Sequence, residues 1–519
     1  MPTLWIASLA PVAALLLLMV AAKWSSARAG AASWFVAAIA ASSFFGAGLD
    51  VIGLATCKGL LLGVYVSYIV WAGVLMYNFA EETGSISGMA AGLGAVTGDD
   101  LSQVLLVGWA FVSFLQGVAG FGVPVAVAGP MLTALGVQPV VAASLSLLGH
   151  AWAVTFGSMA TSFLTLVLVT GIEARPLAQW SAILLGVSCV STGFLASYMY
   201  GGFRALARGF PTVSVAGSAM ALSLYLLAAA QSYVIASTVA GLVGCAALAL
   251  LGRAKGRAKD RTKKIAVEAP PGRRGGFLLA FFPYAALILF SLATSTGPVS
   301  TFPSSISLSL PFPETETSLG WKNKAVGSYS AICPLSHPGT VVLEATLAGY
   351  VVFRKKGRTK KGMVSRILGK TARQCLFPTI STMTVAMMAL VMNESGMTYA
   401  LAEGVARFGG GFYPILSVFI GVLGCFTTGS NSGSNAMFGA FQRDAARLLG
   451  VSEYVLCASQ TTGGALGSMI APAKVVVGTS VTQAAGREGE VIRRNARYCV
   501  AVAAISSIAA WAATASLKF

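Results

Sequence analysis

Charged residues are scarce in this sequence, and their scarcity excludes most soluble folds. Only 10% of the 519 residues are Asp, Glu, Lys or Arg and only 2 are His, while 56% are hydrophobic and the mean hydropathy is +0.77. One soluble core cannot bury so much apolar surface. Charge-free runs of roughly 20 residues, the length of a helix that crosses a bilayer, recur along the chain. The composition therefore predicts an all-α polytopic membrane protein.

The sequence also lacks the motifs of metal, dithiol and hydrolytic sites. Its 8 cysteines are scattered without a CxxC pair, and no HExxH, no GxSxG and no paired carboxylates occur in the apolar runs. We therefore expect no metal site, no catalytic residues and no cofactor. These absences argue against an enzyme embedded in the membrane.

Positive charge is concentrated in two linkers, 252–274 and 354–373, which hold about half of the lysines and arginines. Short basic loops are typical of the cytoplasmic side, and anionic lipid headgroups are sufficient partners for them. Since no nucleic-acid recognition fold accompanies the charge, we expect no nucleic-acid partner. The first linker separates an N-terminal membrane half, 1–251, from a C-terminal half, 275–519, which contains the second linker. This orientation places the N-terminus outside and makes 297–338 an external loop.

Two regions, at about 59–172 and 374–486, follow the same plan. In each, a long apolar run is broken near its middle by Gly, Ser or Asn, and short matches such as "ALGV" (134–137) and "LLGV" (448–451) occur at equivalent places. The distribution of charge makes the two regions enter the membrane from opposite faces. We therefore predict 12 to 14 transmembrane helices with an inverted repeat that contains two broken (discontinuous) helix regions.

The two breaks are the predicted substrate site. They read "GVAGFGVP" (117–124) and "TTGSNSGSN" (427–435). In lipid a broken helix is tolerated only where it is buried in protein or lines a cavity, and the N-terminus of a half-helix suits an anion. The predicted substrate-binding residues are Gln116, Gly117, Gly120, Gly122, Ser430, Asn431, Ser434 and Asn435. For Gly117 and Gly120 the alternative is close packing of helices.

Few side chains within the apolar runs can carry a charge. Lys474, which follows Pro472, could pair with a substrate carboxylate or extend its ammonium to the membrane surface. His150 and Glu344 are the candidates for proton coupling. The alternatives are a structural role for His150 and a solvated position for Glu344 near the end of its span.

Five motifs, in this order along the chain, resemble the L-lactate permease family, secondary carriers of lactate and related 2-hydroxy acids such as glycolate. They are "FLQGVAGFGVPVAV" (114–127), "PGTVVLEA" (338–345), "NESGM" (393–397), "TGSNSGSNAMFGAFQ" (428–442) and "TTGGALGSMIAP" (461–472). The resemblance implies a bundle of 12 to 14 helices in the plasma membrane. It also implies symport of a monocarboxylate with protons, with the proton gradient as the energy source.

The chain departs from the family at two positions that bear on coupling. Gln116 stands where the family usually has an acidic residue, and Asn431 stands where it usually has Asp. Both differences remove a titratable carboxylate, so an uncoupled facilitator, or a carrier of another small organic anion, is the alternative function. A membrane receptor or scaffold that does not transport is a third hypothesis. No feature of the sequence indicates the oligomeric state.

Overall fold

Helices dominate the structure, a computed structural model that describes residues 2–86, 88–89, 99–120, 122–255, 277–295 and 307–516. The helices are α1 (Pro2–Val20), α2 (Ser26–Phe45), α3 (Leu49–Glu82), α4 (Asp100–Val118), α5 (Val123–Ala134), α6 (Pro139–Ala151), α7 (Gly157–Thr170), α8 (Ala174–Ala229), α9 (Tyr233–Lys255), α10 (Phe277–Ser295), α11 (Pro338–Lys355), α12 (Met363–Glu394), α13 (Met397–Gly409), α14 (Tyr413–Thr428), α15 (Asn431–Leu449), α16 (Glu453–Gly467), α17 (Pro472–Val481) and α18 (Glu488–Ser516). In these residues, 9 helical stretches are long and apolar enough to cross a membrane. The predicted all-α polytopic membrane fold is confirmed.

Helices α4 and α5 fold back on each other, as do α14 and α15. Leu132 of α5 lies beside Gly108 of α4, and the Ser434 hydroxyl of α15 donates to the Gly421 carbonyl of α14 at 3.0 Å. We call residues 100–134 the first hairpin and 413–449 the second hairpin. The breaks predicted at 117–124 and 427–435 are therefore the tips of two helical hairpins.

Each hairpin is followed by a helix with an interruption of its own. Helix α6 ends at Ala151 and α7 begins at Gly157, while α16 ends at Gly467 and α17 begins at Pro472. Proline at the first position of a helix needs no hydrogen-bond partner for its nitrogen. We call residues 139–170 the first broken helix and 453–481 the second broken helix. The inverted repeat stays a prediction, which the shared order of hairpin and broken helix supports.

Helix α8 also folds back, at Gly201 and Gly202, so that Gly209 lies beside Ser197. We count α8 as two crossings, each broken helix as one, and the hairpins and the short α13 as none. Counted in this way, the helices in the described residues make 12 crossings, and the number of 12 to 14 transmembrane helices stays a prediction.

Helices α3 and α12 form a long antiparallel pair, which we call the scaffold pair. Gly59 and Gly63 of α3 lie so close to Met387 and Met383 of α12 that a Cβ at either glycine would crowd the facing backbone. Small residues at such positions allow membrane helices to approach closely. Helix α3 precedes the first hairpin and α12 precedes the second, and entry of the hairpins from opposite ends of this pair stays a prediction of the sequence.

The predicted external loop, 297–338, contains structure that the all-α expectation did not include. Strand β1 (Leu308–Phe312) pairs antiparallel with β4 (Val326–Ile332), and β2 (Thr315–Glu316) pairs with β3 (Lys322–Asn323). We call residues 308–332 the cap. Residues 297–306 lie outside the described part of the chain.

The structure describes little of the first predicted basic linker and all of the second. Most of 252–274 lies outside the described residues. Most of 354–373 is helical, because α11 continues to Lys355 and α12 begins at Met363; Lys and Arg are good helix formers. Arg366 of this segment pairs with Glu82 at the end of α3, with 2.7 Å between Nη2 and Oε1.

Candidate functional site

The tip of the first hairpin is a tight turn that depends on glycine. After α4 ends at Val118, Ala119 is extended, and Gly122 has a φ of +88°, where residues other than glycine are strained. There is no space for a side chain at Gly120, because a Cβ there would collide with Ser158 Oγ beside the interruption of the first broken helix. The turn therefore holds the N-terminus of α5 against the first broken helix.

The tip of the second hairpin turns at Gly429, whose φ is +72°. Ser430 is the N-cap of α15, and its side chain accepts a hydrogen bond from the Gly433 nitrogen at 3.5 Å. Ser and Asn are favoured at this position because their oxygens satisfy free N–H groups of the first helical turn. The polar run of the sequence is therefore used to begin a helix inside the membrane.

Two asparagines tie the second hairpin to both broken helices. Asn431 Nδ2 donates to Thr155 Oγ1 and to the Thr461 carbonyl, both at 3.2 Å. Asn435 Nδ2 donates to the Ser162 carbonyl at 2.9 Å and to Thr461 Oγ1 at 2.8 Å. The first broken helix supplies Thr155 and Ser162, and the second supplies Thr461. Three interrupted segments therefore meet at one polar centre.

Amide oxygens at this centre are left without partners. Gln116 Oε1, Asn431 Oδ1 and Asn435 Oδ1 are buried and accept no hydrogen bond from any residue that the structure describes. A buried acceptor without a partner costs about 1–3 kcal/mol. Gln116 Nε2 lies close to Gly157, so Gln116 also belongs to the contact between the first tip and the first broken helix. These oxygens could accept a hydrogen bond from a hydroxyl group.

A cavity of about 290 Å³ separates the hairpin tips from the scaffold pair. Its walls are Val70 and Val74 of α3, Gln374, Cys375 and Pro378 of α12, and Val123, Gly429, Ala473, Lys474 and Val477 from the interrupted segments. Val123 begins α5, Gly429 precedes α15 and Ala473 lies in the first turn of α17. The N-termini of three helices therefore converge on the cavity, and each contributes a partial positive charge.

Lys474 adds a full positive charge to this wall. The residue is only 7% exposed, and within the described residues its ammonium forms no ion pair and no hydrogen bond. Burying a charge is costly unless a partner compensates it. The combination of an unpaired ammonium with three helix N-termini makes the cavity suited to a small anion.

The structure brings some of the predicted site residues together and separates others. Gln116, Gly120 and Gly122 are at the first tip, and Ser430 and Asn431 at the second. Gly117 packs against the backbone of Thr238 in α9. Ser434 accepts a hydrogen bond from Gln460 Nε2 at 2.9 Å and so joins the second hairpin to the second broken helix.

The two proton-coupling candidates have opposite environments. His150, at the end of α6, is fully buried; its Nδ1 donates to the Ser146 carbonyl at 2.8 Å, and its Nε2 has no partner among the described residues. It lies close enough to Lys474 for their charges to interact. Glu344 is on the exposed face of α11 and does not line the cavity.

Sequence reasoning missed the buried ion pair between Lys58 and Glu394. Lys58 Nζ lies 2.8 Å from Glu394 Oε2 at one end of the scaffold pair. The Phe312 and Tyr329 rings of the cap lie 5.4 and 6.0 Å from the ammonium, and Asn323 Nδ2 donates to the Glu394 carbonyl at 2.8 Å. The cap is thus attached to the scaffold pair through this ion pair.

Sequence reasoning also missed Thr155 and Thr461, the hydrogen-bond partners of Asn431. The repeated "GSM" at 157–159 and 467–469 was the available signal, because these matches lie beside the interruptions of the two broken helices. A threonine in an apolar run carries little information by itself, since its hydroxyl commonly bonds to its own helix.

Comparison with known proteins gives a consistent family. A model of the family described as L-lactate permease matches residues 5–515. The L-lactate permease of Escherichia coli (strain K12) is 29% identical over 461 residues, which cover 85% of this chain and 83% of that protein. The glycolate permease GlcA of the same organism is 27% identical over 510 residues, covering 92% of this chain and 90% of that protein.

A solved structure, of the YdaH transporter of Alcanivorax borkumensis, has a TM-score of 0.47 and 18% sequence identity, covering 89% of this chain and 87% of that chain. The assignment depends on the family match, which extends over nearly the whole sequence. The chain belongs to the L-lactate permease family.

Proposed function

We propose that this protein is a secondary transporter that moves L-lactate, or a related short 2-hydroxy monocarboxylate such as glycolate, across the plasma membrane. The observation that carries the proposal is the unpaired ammonium of Lys474 in a cavity where three helix N-termini converge. The names of the relatives, L-lactate permease and glycolate permease, agree with an anion of this size.

The chemistry of the cavity matches the carboxylate of a 2-hydroxy acid, which pairs with Lys474 and with free N–H groups at the helix N-termini. For the hydroxyl, the hairpin tips next to the cavity hold two buried amide oxygens, of Gln116 and Asn431, that have no partner among the described residues. Neither residue lines the cavity in this structure, so the hydroxyl reaches them only when a tip moves. A site with such an acceptor favours a substrate that can donate to it.

Alternating access is supported by the position of the cavity. Both hairpin tips reach it, and in the predicted inverted repeat the hairpins come from opposite ends of the scaffold pair. Movement of one tip away from the scaffold pair opens the cavity toward one side of the membrane, and movement of the other opens it toward the opposite side. Interrupted helices meeting near mid-membrane are the usual setting for this mechanism.

Proton coupling is part of the proposal, with His150 as its preferred carrier. Because Nδ1 donates to Ser146, the proton is on Nδ1 and Nε2 carries a free lone pair. That lone pair is buried without a partner among the described residues, and it accepts a proton when the carboxylate of the substrate neutralises the positive charge of Lys474. Glu344 stays the second candidate, although its exposed position favours a role outside the cavity.

One observation favours the alternative of an uncoupled facilitator or a carrier of another small organic anion. No carboxylate lines the cavity in the part of the chain that the structure describes, and Gln116 and Asn431 are neutral. A facilitator needs only the anion site and the moving tips.

Uptake of labelled L-lactate by purified protein in liposomes tests these proposals. We expect an inside-alkaline pH gradient to drive accumulation in the wild type and in Glu344→Gln, and we expect His150→Gln to equilibrate lactate without accumulation. Equilibration that ignores the gradient in the wild type would establish the facilitator. Absence of any lactate flux would contradict the transport proposal itself.

Replacement of Gly122 by Leu should reduce uptake at least about tenfold, because left-handed backbone costs an L-residue about 1–2 kcal/mol and a Cβ would press on Val477, 3.3 Å away. Gly136→Leu is the matched control: Gly136 also has a positive φ, +83°, but nothing lies within 4 Å of its Cβ position. Equal uptake by the two variants would show that the geometry of the first tip is unimportant.

A further inference from the structure

A basic pocket lies at the beginning of α18, and the residues that line it belong neither to the substrate cavity nor to the basic linkers. Its volume is about 570 Å³, and Arg493, Arg494 and Arg497 line it together with Tyr198 of α8 and Tyr498. The charges of Arg494 and Arg497 are close enough to act on the Tyr498 hydroxyl. Three guanidinium groups therefore share one pocket.

The charge of this pocket is not compensated within the described part of the protein. Glu490, the acidic residue of the wall, is bound by Arg487 at 2.6 Å. Among the described residues, none forms an ion pair with Arg493, Arg494 or Arg497. Guanidinium groups bind phosphate through paired hydrogen bonds, so the chemistry of the pocket is that of a phosphate site.

The position of the pocket indicates where the phosphate comes from. The arginines lie in the first turns of a 29-residue apolar helix, near the boundary between membrane and water. Leu195 and Ala501 add apolar wall, and tyrosines are typical of the headgroup region. We propose that the pocket binds an anionic phospholipid, with its phosphate held by Arg494 and Arg497 and its acyl chains along α8 and α18.

The opposite face of the same helical turn reaches the second broken helix. Asn495 is fully buried, and its Nδ2 donates to the Met469 carbonyl at 3.1 Å, inside the interruption that precedes Lys474. A bound lipid orders the turn that carries this hydrogen bond. We therefore expect bound lipid to stimulate transport. This expectation rests on the proposed transport function, whereas the binding of lipid does not.

Binding is tested by mass spectrometry of the intact purified protein with phosphatidylglycerol or phosphatidylcholine. The variant with Arg494→Gln and Arg497→Gln should bind phosphatidylglycerol about 30-fold more weakly than the wild type. Lys322→Gln with Lys324→Gln, two exposed residues of the cap, is the control with the same loss of charge and should bind normally. Equal binding by wild type and the arginine variant would overturn the proposal.

Inorganic phosphate separates a lipid site from a site for a soluble anion. We expect millimolar phosphate to leave phosphatidylglycerol bound, since only the lipid gains from the apolar wall. Displacement by phosphate would assign the pocket to a soluble phosphate compound and overturn the lipid assignment.

Transport adds a readout that distinguishes the two steps. In liposomes of phosphatidylcholine, addition of one quarter phosphatidylglycerol should raise lactate uptake several-fold for the wild type and the lysine control, but not for the arginine variant. Stimulation of all three proteins alike would refute the lipid effect on transport. Absence of uptake by all three would count against the transport function, with lipid binding judged by the mass spectra alone.

Discussion

Uptake of L-lactate is expected to fall by about 100-fold or more when Lys474 is replaced by Met. Removal of one partner from a buried, hydrogen-bonded charge pair costs about 2–5 kcal/mol, and Lys474 supplies the only formal charge on the cavity wall among the described residues. Methionine keeps the length and apolar packing of the lysine stem. Initial rates of labelled lactate uptake in proteoliposomes measure the effect.

The stability of the same variant should move in the opposite direction. Without substrate, Lys474 is a buried ammonium without an ion pair in the described structure, and removal of such a charge relieves its desolvation. The thermal midpoint of Lys474→Met in detergent should therefore equal or exceed that of the wild type. Saturating lactate should raise the midpoint of the wild type only, because a ligand stabilises the state that binds it.

Two control variants make the result specific. Lys474→Arg keeps a positive charge and should retain measurable uptake. Val476→Met alters an exposed residue of the same helix, 53% accessible, and should transport normally. If Lys474→Met transports at the wild-type rate, the ammonium does not take part in binding, and the anion is held by the helix N-termini alone.

The sequence predicted where the helices break but not what the chain does there. Gly120, Gly122 and the Ser/Asn run at 430–435 mark the breaks, because glycine and N-cap residues have defined backbone roles. Glycine and N-cap residues occur both where a broken helix continues in the same direction and where the chain folds back as a hairpin. Here the chain folds back, as the hydrogen bond from Ser434 to Gly421 shows. Such contacts depend on tertiary packing and are not visible in the sequence.

The ion pair of Lys58 and Glu394 shows a second limit. A search for charge-free runs starts a span at Gly59, directly after Lys58, yet α3 begins at Leu49 and continues through Lys58 to Glu82. The lysine is tolerated because Glu394, 336 residues later, lies beside it. Single-sequence patterns do not reveal such distant partners, so the attachment of the cap could not be predicted either.

Removing one member of this pair should be strongly destabilising. Glu394→Gln leaves Lys58 buried without its counter-ion, which costs about 3–5 kcal/mol, reduced by the Phe312 and Tyr329 rings that still face the ammonium. We expect a clearly lower thermal midpoint and less folded protein in the membrane. Glu82→Gln, at the other end of the scaffold pair, is the matched control.

The comparison with Glu82 and Arg366 shows whether the loss of stability comes from burial of the charge or from loss of any ion pair. Glu82 and Arg366 are 36% and 51% exposed, against 12% and 4% for Glu394 and Lys58, and an exposed pair contributes only about 0–1 kcal/mol. Glu82→Gln should therefore leave the midpoint almost unchanged. Because the penalty of Glu394→Gln comes from an uncompensated charge, adding Lys58→Met should recover most of the lost stability. If the double variant is as unstable as Glu394→Gln, the loss comes instead from Asn323 and the attachment of the cap.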